Sequence, residues 1–241
     1  MYLSRGNPLQ RIKDSFLRLP QVVKVLLGLQ TALYILMLVL SDQALGQWIT
    51  MNLALNPANV WSGWLWTPFT YLWFHFRGDL FGFLFDILIL WSLGGLFGQR
   101  WRPNHFVFFF IASGVIAGFV DSLLYMIPGG WFAAPVMGTS GSVFALFVAF
   151  YFVYGDQGVS VMGSSPMKGR TVFYLLAGLE TVLFIAGANP HYGIQLGGAL
   201  AGWFLVTGRW RPGKMKRFLD DRTARWRRKQ QMRQRDMRVV H

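Results

Sequence analysis

Long apolar runs constrain this chain more than any other feature. Six segments approach the roughly 20 apolar residues that cross the hydrocarbon of a bilayer, and they cover residues 22–40, 80–98, 106–127, 139–154, 172–188 and 193–206. Lipid offers no hydrogen bonds to the backbone, so each run must satisfy its own polar groups as a helix. With 54% hydrophobic and 14% charged residues, the sequence predicts an all-α, polytopic integral membrane protein. We number its spans one to six in chain order.

Positive charge is distributed unevenly between the two ends of these spans. With six spans both termini share a side, and of the 23 lysines and arginines only Arg77 falls on the other one. Because Lys and Arg are retained on the cytoplasmic side, we expect both termini to be cytoplasmic. The first span begins too late for a typical signal peptide and is predicted to be a retained helix. By default, the expected membrane is the plasma (inner) membrane of a prokaryote.

Charged segments flank the apolar region. The sequence predicts a cytoplasmic amphipathic segment at residues 1–21, a membrane domain at 22–208 and a basic cytoplasmic tail at 209–241. The net charge of +13 would suit nucleic acid, but a juxtamembrane basic segment more often sits on anionic lipid headgroups. Trp210, Phe218 and Trp226 interleave with the basic residues of the tail, which is typical of a helix lying along the interface. We therefore expect membrane lipids, and no nucleic acid, as partners of the tail.

The outer connection between spans one and two, residues 41–79, is too long for a simple helical hairpin. It is rich in aromatic residues, which include Trp48, Trp61, Trp64, Trp66, Phe69, Tyr71 and Trp73. Amphipathic rings settle in the headgroup layer, so the first interpretation is an interface anchor. The alternative is a gate that controls access from lipid to an interior site.

Small residues indicate where helices approach each other closely. Glycines four residues apart occur in span two (Gly94, Gly98), span three (Gly114, Gly118) and span six (Gly193 and Gly197, Gly198 and Gly202). Span four opens with Gly138-Thr139-Ser140-Gly141, which we call the motif. Its glycines and those around Gln195 predict backbone contact between spans four and six, with Ser140 and Gln195 facing each other.

These features resemble the rhomboid family of intramembrane serine proteases. The resemblance rests on the motif, on the Gly-rich stretch 195–198, on the run from Trp66 to His75 and on six spans with a long first outer connection. It covers roughly residues 22–209 and implies a six-helix rhomboid-like bundle. In that family a serine endopeptidase site performs intramembrane proteolysis, with the serine activated by one histidine on the sixth helix.

The predicted site departs from the family pattern at three positions. The resemblance places Ser140 at the nucleophile and Gln195 at the general base, but a glutamine amide cannot take up a proton near neutral pH. It places Gly82 and Asp86 at positions that help bind the oxyanion. Glycine has no side-chain donor, and an ionised carboxylate repels a developing oxyanion. These changes predict a catalytically deficient member.

Three functions follow from these observations. The first is a pseudoprotease that binds transmembrane segments of other membrane proteins, and the alternative is an active endopeptidase that uses Ser140 with His191 as an atypical base. A lower alternative is a small transporter with a path through Asp86, Asp121 and Glu180.

Cofactor chemistry has no support in the sequence. The chain contains no cysteine, which excludes disulfides and thiolate sites. Neither metal-ligand spacing nor a phosphate-binding loop is present, so no metal or cofactor is expected.

Overall fold

Six long helices follow the six apolar runs of the sequence. A computed structural model of the chain describes residues 8–128, 134–159, 167–185 and 192–208. After a short helix α1 (Pro8–Leu17), the first span is α2 (Gln21–Leu40). The other long helices are α6 (Leu80–Arg100), α7 (Pro103–Leu124), α8 (Ser140–Tyr154), α9 (Gly169–Ile185) and α10 (Tyr192–Val206). The predicted all-α membrane architecture is confirmed.

The helices differ in length. Among the described residues, α2, α6 and α7 are long and apolar enough to cross a membrane, while α8 and α10 are shorter apolar helices. The ends of the helices depart from the predicted spans by a few residues. Helix α7 begins at Pro103, three residues early, because proline is well suited to the first turn of a helix. Helix α9 begins at Gly169, and the predicted end of span five lies outside the described residues.

The outer connection is folded. It contains α3 (Ala44–Leu53), α4 (Pro57–Trp61), α5 (Thr67–Thr70) and a 3-10 turn (Tyr71–Trp73). Side chains bond the connection to the spans: the Trp61 indole donates to the Ser122 carbonyl at 2.8 Å, and the Gln30 amide donates to the Leu72 carbonyl at 3.0 Å. The connection is therefore fixed on α2 and α7, while Trp61 stays 52% exposed. Its predicted roles as an anchor or a gate stay predictions.

Glycines bring α8 and α10 into backbone contact. A Cβ atom on Gly198 would collide with the Gly141 carbonyl oxygen, and one on Gly202 would lie 2.6 Å from the Ala145 oxygen. On the other side of α10, a Cβ on Gly197 would lie 2.7 Å from the Ala117 Cα of α7. The predicted close approach of spans four and six is confirmed, and glycine is what permits it.

A short hairpin lies between α8 and α9. Strands β1 (Gly158–Val159) and β2 (Met167–Lys168) pair antiparallel, with Gly158 opposite Lys168. The chain divides into two units, residues 1–203 and 204–241. Of the second unit the structure describes residues 204–208, the end of α10 and the turn after it. The predicted domain boundaries stay predictions, and residues 1–7 and 209–241 lie outside the described part.

Candidate functional site

The motif is held by the outer connection. Leu55 and Val136 form a two-way backbone bridge at 2.9 and 2.8 Å, and the Gly138 N–H donates to the Tyr71 carbonyl at 3.0 Å. Gly138 has φ +130°, a conformation that favours glycine. A Cβ there would also lie 3.2 Å from His75 Nε2. The backbone angle therefore favours glycine at the first motif position, and the space left by His75 is tight for any side chain.

Helix α8 begins directly after this turn. Thr139 is its N-cap residue, but the Thr139 hydroxyl makes no capping bond to the helix. Ser140 is the first helical residue and is half-buried. The motif thus places the Ser140 hydroxyl at the amino end of a helix, where the exposed N–H groups carry partial positive charge.

Three buried polar side chains meet beside Ser140, and we call them the Asp86 cluster: His75, Asp86 and Thr139. Asp86 Oδ2 accepts a hydrogen bond from Thr139 Oγ1 at 2.9 Å and lies 3.3 Å from His75 Nε2. His75 is 1% exposed, Asp86 4% and Thr139 1%. One carboxyl oxygen therefore joins the outer connection, α6 and the amino end of α8.

The surroundings of His75 indicate where its proton lies. The rings of Phe83 and Tyr34 stand edge-on to the imidazole, with centroids 5.3 and 6.2 Å away. His75 Nδ1 is buried without a hydrogen-bond partner in the described part of the chain. A proton on Nε2 donates to Asp86, whereas a proton on Nδ1 would be a buried donor with no acceptor. We assign the Nε2–H tautomer on this ground.

Tyr71 supports the motif from the opposite side. Its hydroxyl donates to the Gly114 carbonyl of α7 at 2.7 Å, and it lies 3.1 Å from the position of a Cβ on Gly141. Burial, and then the charges of Asp121 and Asp86, raise the pKa of Tyr71 above its ordinary value. The hydroxyl therefore stays protonated and keeps donating to α7.

Gln195 lies on the turn of α10 that faces the motif. Its neighbour Ile194 comes within 3.2 Å of the position of a Cβ on Gly141, and Gln195 itself is half-buried. The fold therefore brings together the helical turns that carry Ser140 and Gln195. The general-base position assigned to Gln195 stays a prediction.

The capping of α6 explains why glycine fits at position 82. Asp79 caps α6 by accepting a hydrogen bond from the Gly82 N–H at 3.1 Å, and a Cβ on Gly82 would crowd that carboxylate. Its assignment to an oxyanion position stays a prediction. His191, the predicted alternative base, lies outside the described residues.

In the described part of the chain, Asp121 of the predicted transport path makes no hydrogen bond to the Asp86 cluster through its Oδ2. Asp121 lies in the last turn of α7, 3% exposed, and its Oδ2 has no hydrogen-bond partner among the described residues. Asp86 instead pairs with Thr139 and His75. The side chain of Glu180 falls outside the described part.

Sequence reasoning missed three members of this site. It gave no role to the side chains of His75 and Thr139 or to the hydroxyl of Tyr71. A signal was present, because the run from Trp66 to His75 was already part of the resemblance. What the run could not reveal is which side chain each residue would meet.

Comparisons with known proteins agree with this architecture. A family model described as eukaryotic integral membrane protein (DUF1751) matches residues 24–206. The rhomboid protease GlpG of Yersinia pestis (strain Pestoides F) is 28% identical over 176 residues, which are 71% of this chain and 58% of the relative. GlpG of Klebsiella pneumoniae is 28% identical over 164 residues, 63% of this chain and 55% of the relative. The chain thus spans less than two thirds of the length of these relatives.

Proposed function

This chain belongs to the eukaryotic integral membrane protein (DUF1751) family and is rhomboid-like, and from that premise we propose that it is a pseudoprotease that binds transmembrane segments of other membrane proteins. The proposal has two parts, an absence of peptidase chemistry at Ser140 and a lateral surface that receives a client helix. Different observations support each part.

The Asp86 cluster carries the first part. An oxyanion site needs hydrogen-bond donors aimed at the place where negative charge develops. At a position that the resemblance assigns to this task, the chain has the carboxyl of Asp86, which accepts a hydrogen bond from Thr139 and donates none to it. When ionised, Asp86 places a negative charge beside the amino end of α8. This charge repels the oxyanion that would develop there during peptide cleavage.

Gln195 is a second obstacle to peptidase activity, because it removes the general base. A serine hydroxyl needs a neighbouring base to become a nucleophile, and an amide is not one. Loss of one member of a hydroxyl and base pair typically lowers turnover by roughly 10⁴ to 10⁶. Together with Asp86 and Gly82, this supports a site that lacks peptidase chemistry.

The second part rests on the lipid-facing side of α6. Phe81, Leu84 and Leu88 are 87%, 50% and 40% exposed. Their spacing of three and four residues places them on one face of the helix. In lipid, such a face binds another helix through van der Waals packing. We call these three residues the α6 stripe and propose that client transmembrane segments pack on it.

Labelling with a fluorophosphonate probe tests the first part. The purified protein is treated beside Ser140→Ala, with Ser62→Ala as the matched control because Ser62 is exposed on the outer connection. We expect no labelling that depends on Ser140, while an active rhomboid protease labels in parallel. Labelling lost in Ser140→Ala and kept in Ser62→Ala would establish an activated hydroxyl and favour the active endopeptidase.

A gain-of-function variant separates a dead site from a misfolded one. Gln195→His combined with Asp86→Asn and Gly82→His restores the residue types that the resemblance implies. Labelling that appears only in this triple variant would show that the scaffold holds Ser140 correctly and that the natural residues silence it. Gln195→His alone should do little, since Asp86 and Gly82 remain.

Energy transfer in liposomes tests the second part. The acceptor is the protein, and the donor is a labelled transmembrane segment that the active rhomboid control cleaves. Replacing the three stripe residues with alanine should weaken the transfer. The matched control truncates Phe108, Phe119 and Leu123, which are 57%, 42% and 54% exposed on α7. Equal losses in the two variants would overturn the assignment to the α6 stripe.

Membrane orientation is part of the same proposal. We place both termini in the cytoplasm, and the pairing of Arg77 with Asp42 supports this because it neutralises the one basic residue on the outer side. The prokaryotic plasma membrane and the binding of anionic headgroups by the tail at 209–241 are retained as proposals.

A further inference from the structure

Basic side chains collect at one end of the helices. Helix contacts show that these ends are neighbours: a Cβ on Gly98 of α6 would lie 2.9 Å from Pro20 at the start of α2, and the Tyr154 hydroxyl of α8 donates to the Leu96 carbonyl of α6 at 3.2 Å. We define the inner basic belt as the described cations at this end, which are Lys13, Arg18, Lys24, Arg100, Arg102, Lys168 and Arg170. All are exposed except Lys24, which is half-buried.

Few acidic groups oppose this belt. In the described part at this end they are Asp14 and Asp156, and Asp156 is already paired with Arg170 at 3.0 Å. At the opposite end the single arginine, Arg77, is paired with Asp42. The positive potential is therefore confined to the inner end of the bundle.

Helix α1 adds apolar surface to the belt. Ser15 Oγ lies 3.2 Å from the Trp91 indole nitrogen, and the rings of Phe16 and Trp91 are 5.4 Å apart. Lys24 donates to the last carbonyl of α1, that of Leu17, at 2.9 Å. Helix α1 is thus attached to the sides of α2 and α6, with Lys13 exposed on it and Arg18 exposed directly after it.

Other belt cations also lie beside aromatic rings. The guanidinium of Arg100 is 5.8 Å from the Tyr154 ring centroid, and that of Arg170 is 5.7 Å from the Tyr151 centroid. Tyrosine and tryptophan are enriched where a membrane protein crosses the headgroup layer. Charge and aromatic placement therefore mark the same level of the molecule.

We propose that the inner basic belt binds the anionic phospholipid headgroups of the leaflet at this end of the bundle. A juxtamembrane Lys or Arg raises affinity for an anionic membrane surface about fivefold. The belt cations are spread over α1 and the turn after it, α2, the end of α6 and the turn before α7, strand β2 and the start of α9. This distribution matches an extended charged surface and not a single small anion. The belt consists of described residues and is separate from the tail, and it does not depend on the proposed function.

The full chain in nanodiscs tests the proposal. Thermal unfolding is compared in phosphatidylcholine with and without phosphatidylglycerol, at low and high salt. We expect phosphatidylglycerol to raise the unfolding midpoint at low salt and high salt to remove most of that rise, since exposed charges are screened. In Lys13→Gln/Arg18→Gln/Arg102→Gln, which removes three of the seven belt cations, the rise should be smaller than in the wild type.

Arg77→Gln is the matched control. It removes one exposed cation at the opposite end, so the rise should stay at the wild-type value. If the triple variant unfolds early in phosphatidylcholine alone, Lys13→Gln/Arg102→Gln replaces it, because neither residue takes part in the docking contacts of α1. A rise that is unchanged in the belt variant, or that inorganic phosphate reproduces in phosphatidylcholine nanodiscs, would overturn the proposal.

Discussion

At the scale of single residues, one carboxyl oxygen of Asp86 holds the motif. Asp86→Asn should keep both contacts, because one amide oxygen can accept from Thr139 and from His75 as Oδ2 does. Asp86→Leu leaves two buried donors without an acceptor, and we expect it to lower the free energy of unfolding by about 2–5 kcal/mol. The apparent melting temperature in detergent, followed by tryptophan fluorescence, measures the difference.

An exposed carboxylate provides the comparison for Asp86. The Asp42 side chain is 81% exposed in its ion pair with Arg77, and such surface pairs contribute little to stability. Asp42→Asn should therefore have the same apparent melting temperature as the wild type. If Asp86→Leu also melted with the wild type, the Asp86 cluster would not hold the motif, and the support that it lends to a silenced site would fail.

At the scale of elements, the approach of α10 to α8 depends on hydrogen in place of a methyl group. In Gly198→Ala the new Cβ meets the Gly141 carbonyl oxygen, so the helices must separate. Overpacking of this kind costs typically about 1–3 kcal/mol. We expect a lower apparent melting temperature in detergent than that of the wild type.

Gly28→Ala is the matched change at an open position. Gly28 lies in α2, where a Cβ meets nothing within 4 Å, and alanine is the better helix former by up to about 1 kcal/mol. This variant should be at least as stable as the wild type. A Gly198→Ala protein with the same stability as Gly28→Ala would show that the backbone contact between α8 and α10 can relax without cost.

At the scale of the whole molecule, three long apolar helices, α6, α7 and α8, separate the turn after α4 from the turn after α8. Because the chain has no cysteine, Ser62→Cys and Gln157→Cys each introduce a single thiol at an exposed position. With cytoplasmic termini, a membrane-impermeant maleimide should label intact cells at residue 62 and should reach residue 157 only after permeabilisation. The reverse pattern would invert the orientation, and labelling of both from outside would contradict an odd number of crossings between them.

Much of the architecture was predictable from the apolar runs of the sequence. Each long apolar run became a helix, because a segment in hydrocarbon has no other way to satisfy its backbone groups. Errors were confined to the ends, as at α7, where Pro103 starts the helix earlier than the apolar run suggests. The glycines of α10 also predicted its contact with α8, since small side chains let helix backbones approach closely.

The candidate site was predictable only in part. The resemblance to the rhomboid family was enough to select Ser140, Gln195 and Asp86 as positions of interest. The partners of Asp86 were not predictable, because His75 lies 11 residues before it on the outer connection and Thr139 lies 53 residues after it. Such contacts depend on how the connection folds over α2 and α7 and on how α6 packs beside α8.

By itself, then, the sequence determined the membrane class, the order of the helices and the residue types at the motif, because these follow from local apolarity and from the size of side chains. Only the tertiary structure decided that the carboxyl of Asp86 accepts from Thr139 and faces His75. Hydrogen bonds require atoms to lie within about 3 Å of each other. For residues far apart in the chain, that proximity is a property of the packed bundle.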